Sequence, residues 1–334
     1  MLIDLISNYG LFLLKTLTVL ISILLILSFA VNSKKSKSDG SLEVTNINNE
    51  LVTLEENIKK NILTSKEFKK FIKHRKKNLK MLNKKLFVID FKGNIKASEI
   101  ISLRREISGI ILSHKKGDEV LLRLENSGGT VHEHGLAASQ LKRIKDKKIP
   151  LTICVDKVAA SGGYMMACVA NKIISSPFAI IGSIGVLAQV PNFNKLLKNK
   201  GVDFEQHTAG NYKRTVTMFG ENTDKDREKL GEQLEDIHML FKDFIVSQRK
   251  NVDIEKVATG EYWYGKSALD LNLVDQIMTS DEYILSMKDS FDIIHIKYKP
   301  SKTFADKFAK VSSSLSGKIL SAFSQKSYDD NIFK

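Results

Sequence analysis

Between residues 86 and 175 the chain alternates short apolar runs of strand length with stretches of helical spacing, and this rhythm narrows the possible folds more than any other feature. Residues 86–91 (LFVIDF), 119–125 (EVLLRLE) and 151–158 (LTICVDKV) read as strands. Residues 97–115 place Ile100, Leu103, Ile107, Ile111 and Leu112 at helical spacing, 131–148 are again helical, and 164–170 form a short apolar helix. Strands that alternate with helices in this way need crossover connections, so the pattern predicts an α/β protein built on parallel strands. Farther on, 172–175, 179–186 and 202–208 read as strands, and 192–200 and 224–250 as helices. Residues 259–275 hold a helix, with Asn272 as its left-handed cap.

A second apolar feature has a different length. Residues 11–31 (LFLLKTLTVLISILLILSFAV) are about twenty nearly unbroken apolar positions, enough to cross ~30 Å of hydrocarbon as a helix. Lys15 sits near one end, where its stem can snorkel. Ser28 and Ala30 would suit a signal-peptide cleavage site, but residues 1–14 carry no basic side chain. The expectation is an uncleaved anchor at 1–32 in contact with the lipid bilayer. Lys34, Lys35 and Lys37 directly after the span favour a cytoplasmic exit, although long domains translocate despite such charges, so the side stays open.

The formal net charge is +14, which invites a nucleic-acid reading. Residues 1–85, however, hold 16 Lys/Arg against 7 Asp/Glu, so most of the excess belongs to the N-terminal arm. Residues 33–50 read as a polar linker and 51–82 as a lysine-rich helix. The arm reads either as a solvated lysine-rich helix or as a juxtamembrane arm held to anionic lipid; with few aromatics and no base-reading motif, nucleic acid is not expected. Cys154 and Cys168 are too few for a disulfide framework or a cysteine zinc site and read as core residues. The body is expected over 86–300, followed by an amphipathic helix over 301–334 with Phe304, Phe308, Val311, Leu315, Ile319 and Phe323 at helical spacing.

Two loops carry the chemistry. Each leaves the C-terminal end of a predicted strand, where open α/β sheets place ligands. In Ala159-Ala160-Ser161-Gly162-Gly163, Ser161 stands among small residues at a helix N-terminus, whose dipole favours developing negative charge. The Gly162 amide would point toward an oxyanion. In Asn126-Ser127-Gly128-Gly129, glycine can expose a second amide, that of Gly128. Two such donors make an oxyanion hole, and losing one typically costs ~10²–10³ in rate. A serine nucleophile also needs a base. His132 and His134 could serve a Ser-His-Asp triad. The His-Glu-His run at 132–134 could suggest metal, but alternate residues on a helix do not share a face. No metal or organic cofactor site is expected.

In order along the chain, LLRLENSGGTVHEHGLAASQL (121–141), IPLTICVDKVAASGGYMMACVANKI (149–173), SPFAIIGSIGV (176–186), HTAGNYKRT (207–215), GEN (220–222) and ATGEYWYGKSALDLNLVD (258–275) resemble the signal peptide peptidase A family. Its members are membrane-bound relatives of ClpP. The resemblance implies a ClpP/crotonase-like fold of repeated β-β-α units and a Ser-Lys dyad. Ser161 would be the nucleophile, Lys213 (AGNYKR) the general base, and Ser183 (GSIG) the serine that holds the lysine. It also implies a bacterial inner-membrane location, a peptide or protein substrate such as signal-peptide remnants, and a homo-oligomer with the site near subunit contacts. One departure stands out: the family loop reads Ser-Pro-Gly-Gly where this chain has Asn126-Ser127-Gly128-Gly129. Loss of the proline frees the loop and predicts a looser oxyanion hole. Two other functions fit the fold. One is a crotonase-type acyl-CoA enzyme, for which neither loop offers an acidic residue. The other is a non-catalytic membrane scaffold, favoured only by the altered loop.

Overall fold

The computed structural model describes the backbone of residues 2–34, 40–77, 82–93 and 99–300, and the side chains among these other than 2–7, 25–34 and 76–77. The strands are β1 (Ser41–Asn46), β2 (Lys85–Gly93), β3 (Glu119–Asn126), β4 (Leu151–Val155), β5 (Val158–Ala160), β6 (Lys172–Ser175), β7 (Ile180–Gly182), β8 (Tyr262–Tyr264), β9 (Gln276–Ile277) and β10 (Asp292–Lys299). The helices are α1 (Leu2–Lys34), α2 (Ile47–Ile62), α3 (Ser65–Lys77), α4 (Ile100–Ser113), α5 (Val131–Asp146), α6 (Gly162–Ala167), α7 (Asn194–Asn199), α8 (Asp224–Gln248), α9 (Ile254–Val257), α10 (Gly265–Asp270) and α11 (Ser280–Met287).

The strands form one sheet, with the main path β1-β10-β2-β3-β4-β6-β9. From β10 through β9 the pairings are parallel. β5 pairs in parallel with β3 and β7, and β7 pairs antiparallel with β8. Strands covered on both faces read as continuous apolar runs, and β2 shows why. Phe87, Ile89 and Phe91 enter the larger core beneath α4, α5 and α6, while Leu86 and Val88 enter a smaller one with Tyr283, Ile284, Ile47 and Leu51. The α/β class expected from the alternation is the class observed.

Residues Leu42–Tyr298 form one compact unit, which takes in the part of the expected basic arm from Leu42 on. Within the expected linker, Ser41–Asn46 is a strand that joins the sheet edge on β10, fastened by Asn46 Nδ2 donating to Asp292 Oδ1 at 2.6 Å. Two other strand expectations are corrected. Residues 151–158 break at Asp156-Lys157 into β4 and β5, because Asp156 turns aside to accept from the Ser280 N–H and hydroxyl. Residues 202–208 have no ladder partner and are not a strand. In the other compact unit, α1 overlaps the apolar run of 11–31. Among the described residues no helix is long and apolar enough to cross a membrane. The side chains of 25–31 lie outside the described residues, as does the expected helix over 301–334.

One buried carboxylate gives stability a pH signature. Glu106 on α4 is 3% exposed; its Oε1 accepts the Tyr298 N–H at 2.8 Å, and its Oε2 has no partner among the described residues. Burial raises its pKa from 4.5 to about 7. The neutral acid is therefore favoured in the folded state, and the stability it confers below the unfolded pKa is lost as pH rises through 7. Glu106→Gln is expected to stabilise the protein by about 2–3 kcal/mol at pH 8 and by little at pH 4, measured as denaturant midpoints at both pH values.

Candidate active site

Three neighbouring parallel strands bring the site together. Asn126 at the end of β3 is in register with Ala159 of β5, and Ala160 of β5 with Gly182 of β7. The segments that follow, beginning at Ser127, Ser161 and Ser183, therefore leave the same end of the sheet side by side. Sequence spacing cannot show this adjacency, since β7 follows β5 only after a helix and a further strand. The Ser161 N–H donates to Gly182 O at 2.7 Å, which ties the second loop to the third.

Ser161 immediately precedes α6 and has φ 52°, in the left-handed region. A non-glycine residue there stores about 1–3 kcal/mol of strain, and such strain concentrates at functional sites. Ser183 repeats the geometry one strand along, with φ 51°. Its N–H donates to Glu261 O at 2.7 Å, and its Oγ donates to Gly260 O at 3.4 Å.

Gly128 has φ 92°, and a Cβ on it would lie 2.7 Å from Ser161 Cβ, 2.8 Å from Ala160 O and 3.0 Å from the Gly162 nitrogen. Only glycine lets the first loop close this tightly on the nucleophile turn. The Gly128 amide, however, is already committed: it donates to Asn126 Oδ1 at 2.6 Å. Gly128 was the expected oxyanion donor, and in this structure its N–H faces Asn126 instead of the cleft. The next amide, on exposed Gly129, has no partner among the described residues, and Gly129 lines the same cleft as Ser161. Gly162, the first residue of α6, likewise has an N–H without a partner there.

The cleft has a volume of about 1020 Å³. Gly128, Gly129, Ser161 and Ser183 line it together with the apolar side chains of Val131, Val186, Leu187, Leu234 and Ile237. A small pit beside Ser161 is bounded by Met165, Val186, Ile237 and Phe241. His238 of α8 also lines the cleft, its Nε2 buried and unpartnered among the described residues; nothing in the chain's motifs singles it out.

Lys213 is not among the cleft's lining residues. It is exposed, in a turn where its N–H donates to Gly210 O at 3.2 Å. The segment carrying it is held by its own contacts: Asn192 Nδ2 donates to Thr217 O and Gly220 O, and Asn194 Nδ2 to Phe219 O. Of the histidines, His132 lines the cleft, while His134 is fully buried and bonded to Asn126 rather than to the serine. Among the described residues no cluster of His, Cys, Asp and Glu could hold a metal ion. Cys154 and Cys168 are buried core thiols, each pushed up to about 12 by burial and so unreactive near neutral pH.

The α/β sheet thus closes a glycine loop over Ser161 beside an apolar cleft. The comparisons make the class specific. Residues 143–293 match Peptidase family S49, and residues 4–141 match Peptidase family S49 N-terminal. The chain is 49% identical over 338 residues to the probable protease SohB of Buchnera aphidicola subsp. Acyrthosiphon pisum (strain APS), covering 97% of this chain and 99% of that one. It is 51% identical over 307 residues to the probable protease SohB of Buchnera aphidicola subsp. Schlechtendalia chinensis, covering 85% and 99%. With the probable protease SohB of Haemophilus influenzae it shares 44% identity over 353 residues, with both chains fully covered. The chain therefore belongs to peptidase family S49, as a member of the SohB type.

Proposed function

We propose that the chain is a membrane-anchored serine endopeptidase of ClpP/crotonase-like fold, which cleaves signal-peptide remnants or other membrane-associated peptides at the bacterial inner membrane. The observation that carries this reading is the strained Ser161, set against Gly128 and opening onto the apolar cleft. In the reaction, Ser161 Oγ attacks the scissile carbonyl carbon and its proton passes to the amine of Lys213. The N–H groups of Gly162 and Gly129 receive the oxyanion. The protonated lysine then gives its proton to the leaving amine. Water, deprotonated by the same lysine, attacks the acyl carbon, and the lysine returns the proton to Ser161 Oγ as the acid leaves. Ser183, at the end of the adjacent strand, holds the lysine in this reading.

In this reading Lys213 comes from a second copy of the chain. The lysine is exposed, and the segment around it exposes Leu187, Leu196, Val202, Phe204, Tyr212 and Phe219. Apolar surface this concentrated is buried in most soluble proteins, and a homo-oligomer would bury it. The same exposure of Lys213 favours the non-catalytic scaffold, so the two readings divide on activity.

Membrane attachment rests on the apolar run of 11–31 within α1 and on the helical pair α2–α3. Ile47 and Leu51 pack on the smaller core, but farther along the same face of α2 Leu54, Ile58 and Ile62 are exposed, and the next helix, α3, exposes Lys66, Lys69, Lys70 and Lys73. An exposed apolar stripe in a lysine-rich helical pair suits an anionic bilayer surface.

The pit beside Ser161 limits the residue on the acyl side of the scissile bond to a small apolar side chain. Cleavage of an apolar peptide library by detergent-solubilised protein tests this. Cuts after alanine-sized residues, absent with acyl-CoA thioesters as substrates, are expected. Acyl-CoA turnover without peptide cleavage would overturn the peptidase reading.

A further inference from the structure

We infer that Asn126 and His134 are positioning residues that brace the oxyanion loop and take the place of the proline this loop lacks. The inference rests on the peptidase reading of the cleft. The loop Asn126-Ser127-Gly128-Gly129 has no ring to fix its backbone, yet it is tied at both ends of its turn. Asn126, at the end of β3, is 1% exposed, and its Oδ1 accepts the Gly128 N–H at 2.6 Å. A side-chain oxygen that bonds the amide two residues on gives the chain a ready-made turn.

The same oxygen lies 3.1 Å from Nε2 of His134, which is fully buried on α5. Because the Gly128 N–H can only donate, the atom facing it is the oxygen of the Asn126 amide, and the His134 Nε2 is then the second donor to it. The other ring nitrogen of His134, Nδ1, faces Thr130 O at 2.9 Å, one turn back; a neutral ring has one N–H, and with Nε2 donating to Asn126 this second approach is a contact rather than a hydrogen bond. The ring also lies directly beneath Gly162: a Cβ on Gly162 would fall on the His134 side chain. Gly163 and Gly93 are similarly cleared, one against the Asn126 backbone and the other against its side-chain amide. One imidazole thus contacts both parts of the oxyanion hole, the loop through Asn126 and the start of α6 through Gly162. With Gly128 pinned, the following amide of Gly129 is held toward the cleft.

A proline fixes a loop through its φ angle, whereas here two hydrogen bonds to one buried oxygen do the same work. The two devices are interchangeable at this position. The Ser127 N–H has no partner among the described residues, and the residue before it is extended β3, the conformation that a proline requires of its predecessor.

The experiment compares wild type, Asn126→Ala, His134→Phe, His134→Gln and the double variant Asn126→Ala/Ser127→Pro in the full-length protein. Two quantities are read: amide hydrogen exchange of residues 127–130, and kcat and KM for an apolar peptide. Asn126→Ala is expected to speed exchange at Gly128 about tenfold and to lower kcat about 10–100-fold, with KM within about twofold. His134→Phe, which keeps the ring volume, moves both quantities in the same direction, and His134→Gln, which keeps an N–H, recovers part of the loss. Ser127→Pro in the Asn126→Ala background restores slow exchange and most of kcat, an outcome that simple loss of packing does not produce. Unchanged exchange and kcat in Asn126→Ala would overturn the brace, and faster exchange with unchanged kcat would overturn its positioning role. If exchange responds as expected in a protein that hydrolyses no peptide, the brace stands and the peptidase reading falls.

Discussion

Ser161→Ala is expected to abolish peptide hydrolysis, lowering kcat on the order of 10⁴-fold or more, with no loss of stability. The second half of that expectation separates a nucleophile from a packing serine. Ser161 Oγ has no hydrogen-bond partner among the described residues, and alanine keeps the Cβ that already meets Gly128. Removing the hydroxyl thus leaves the turn intact. Ser161→Gly should also be inactive but more stable than wild type, by about 1 kcal/mol, since glycine adopts φ 52° without strain. A serine whose removal improves stability while ending activity is held in place for function. Thermal denaturation and peptide turnover of the two variants check both statements.

The second large effect is at Lys213. Lys213→Ala should lower hydrolysis by about 10²–10⁴-fold, the range for removal of a general base, and leave stability unchanged because the side chain is solvent-exposed. Lys213→Arg should fail equally, since a guanidinium stays protonated and cannot accept the serine proton. If the lysine crosses between copies, dissociating and reassembling Ser161→Ala chains with Lys213→Ala chains restores activity that neither variant has alone. Mixed oligomers then hold some sites with an intact serine from one chain and an intact lysine from its neighbour. No recovery on mixing, with hetero-oligomers confirmed by mass, would place serine and lysine in one chain.

Much of the architecture is legible along the chain because local patterns decide it. The runs that became β2, β3, β4 and β6 are apolar on both faces, and Asn272 takes the left-handed conformation (φ 57°) at the end of α10 as read. What was not legible depends on distant partners. Ser41–Asn46 looks like linker because its side chains are mostly exposed; it is a strand only because β10, some 250 residues away in sequence, offers an edge. Residues 202–208 alternate like a strand but find no edge to pair with. In the site, the glycines and the small neighbours of Ser161 singled out two loops that the structure brings side by side. The bond of the Gly128 amide to the asparagine two residues earlier was not read from the sequence. A cue lay in the sequence, since an asparagine two residues before a glycine can bond that glycine's amide. His134 stood out with His132 as a candidate base, but nothing in the sequence chose among a triad, a metal and an asparagine as its partner.

The central claim is that Ser161 is a nucleophile activated by Lys213. Its most direct test is labelling of detergent-solubilised oligomer with a serine-reactive fluorophosphonate, followed by mass-spectrometric mapping of the modified residue. Modification at Ser161 alone, lost in Lys213→Ala, is the expected result. A folded, assembled protein that takes up no label, or takes it up equally well without Lys213, would contradict the dyad.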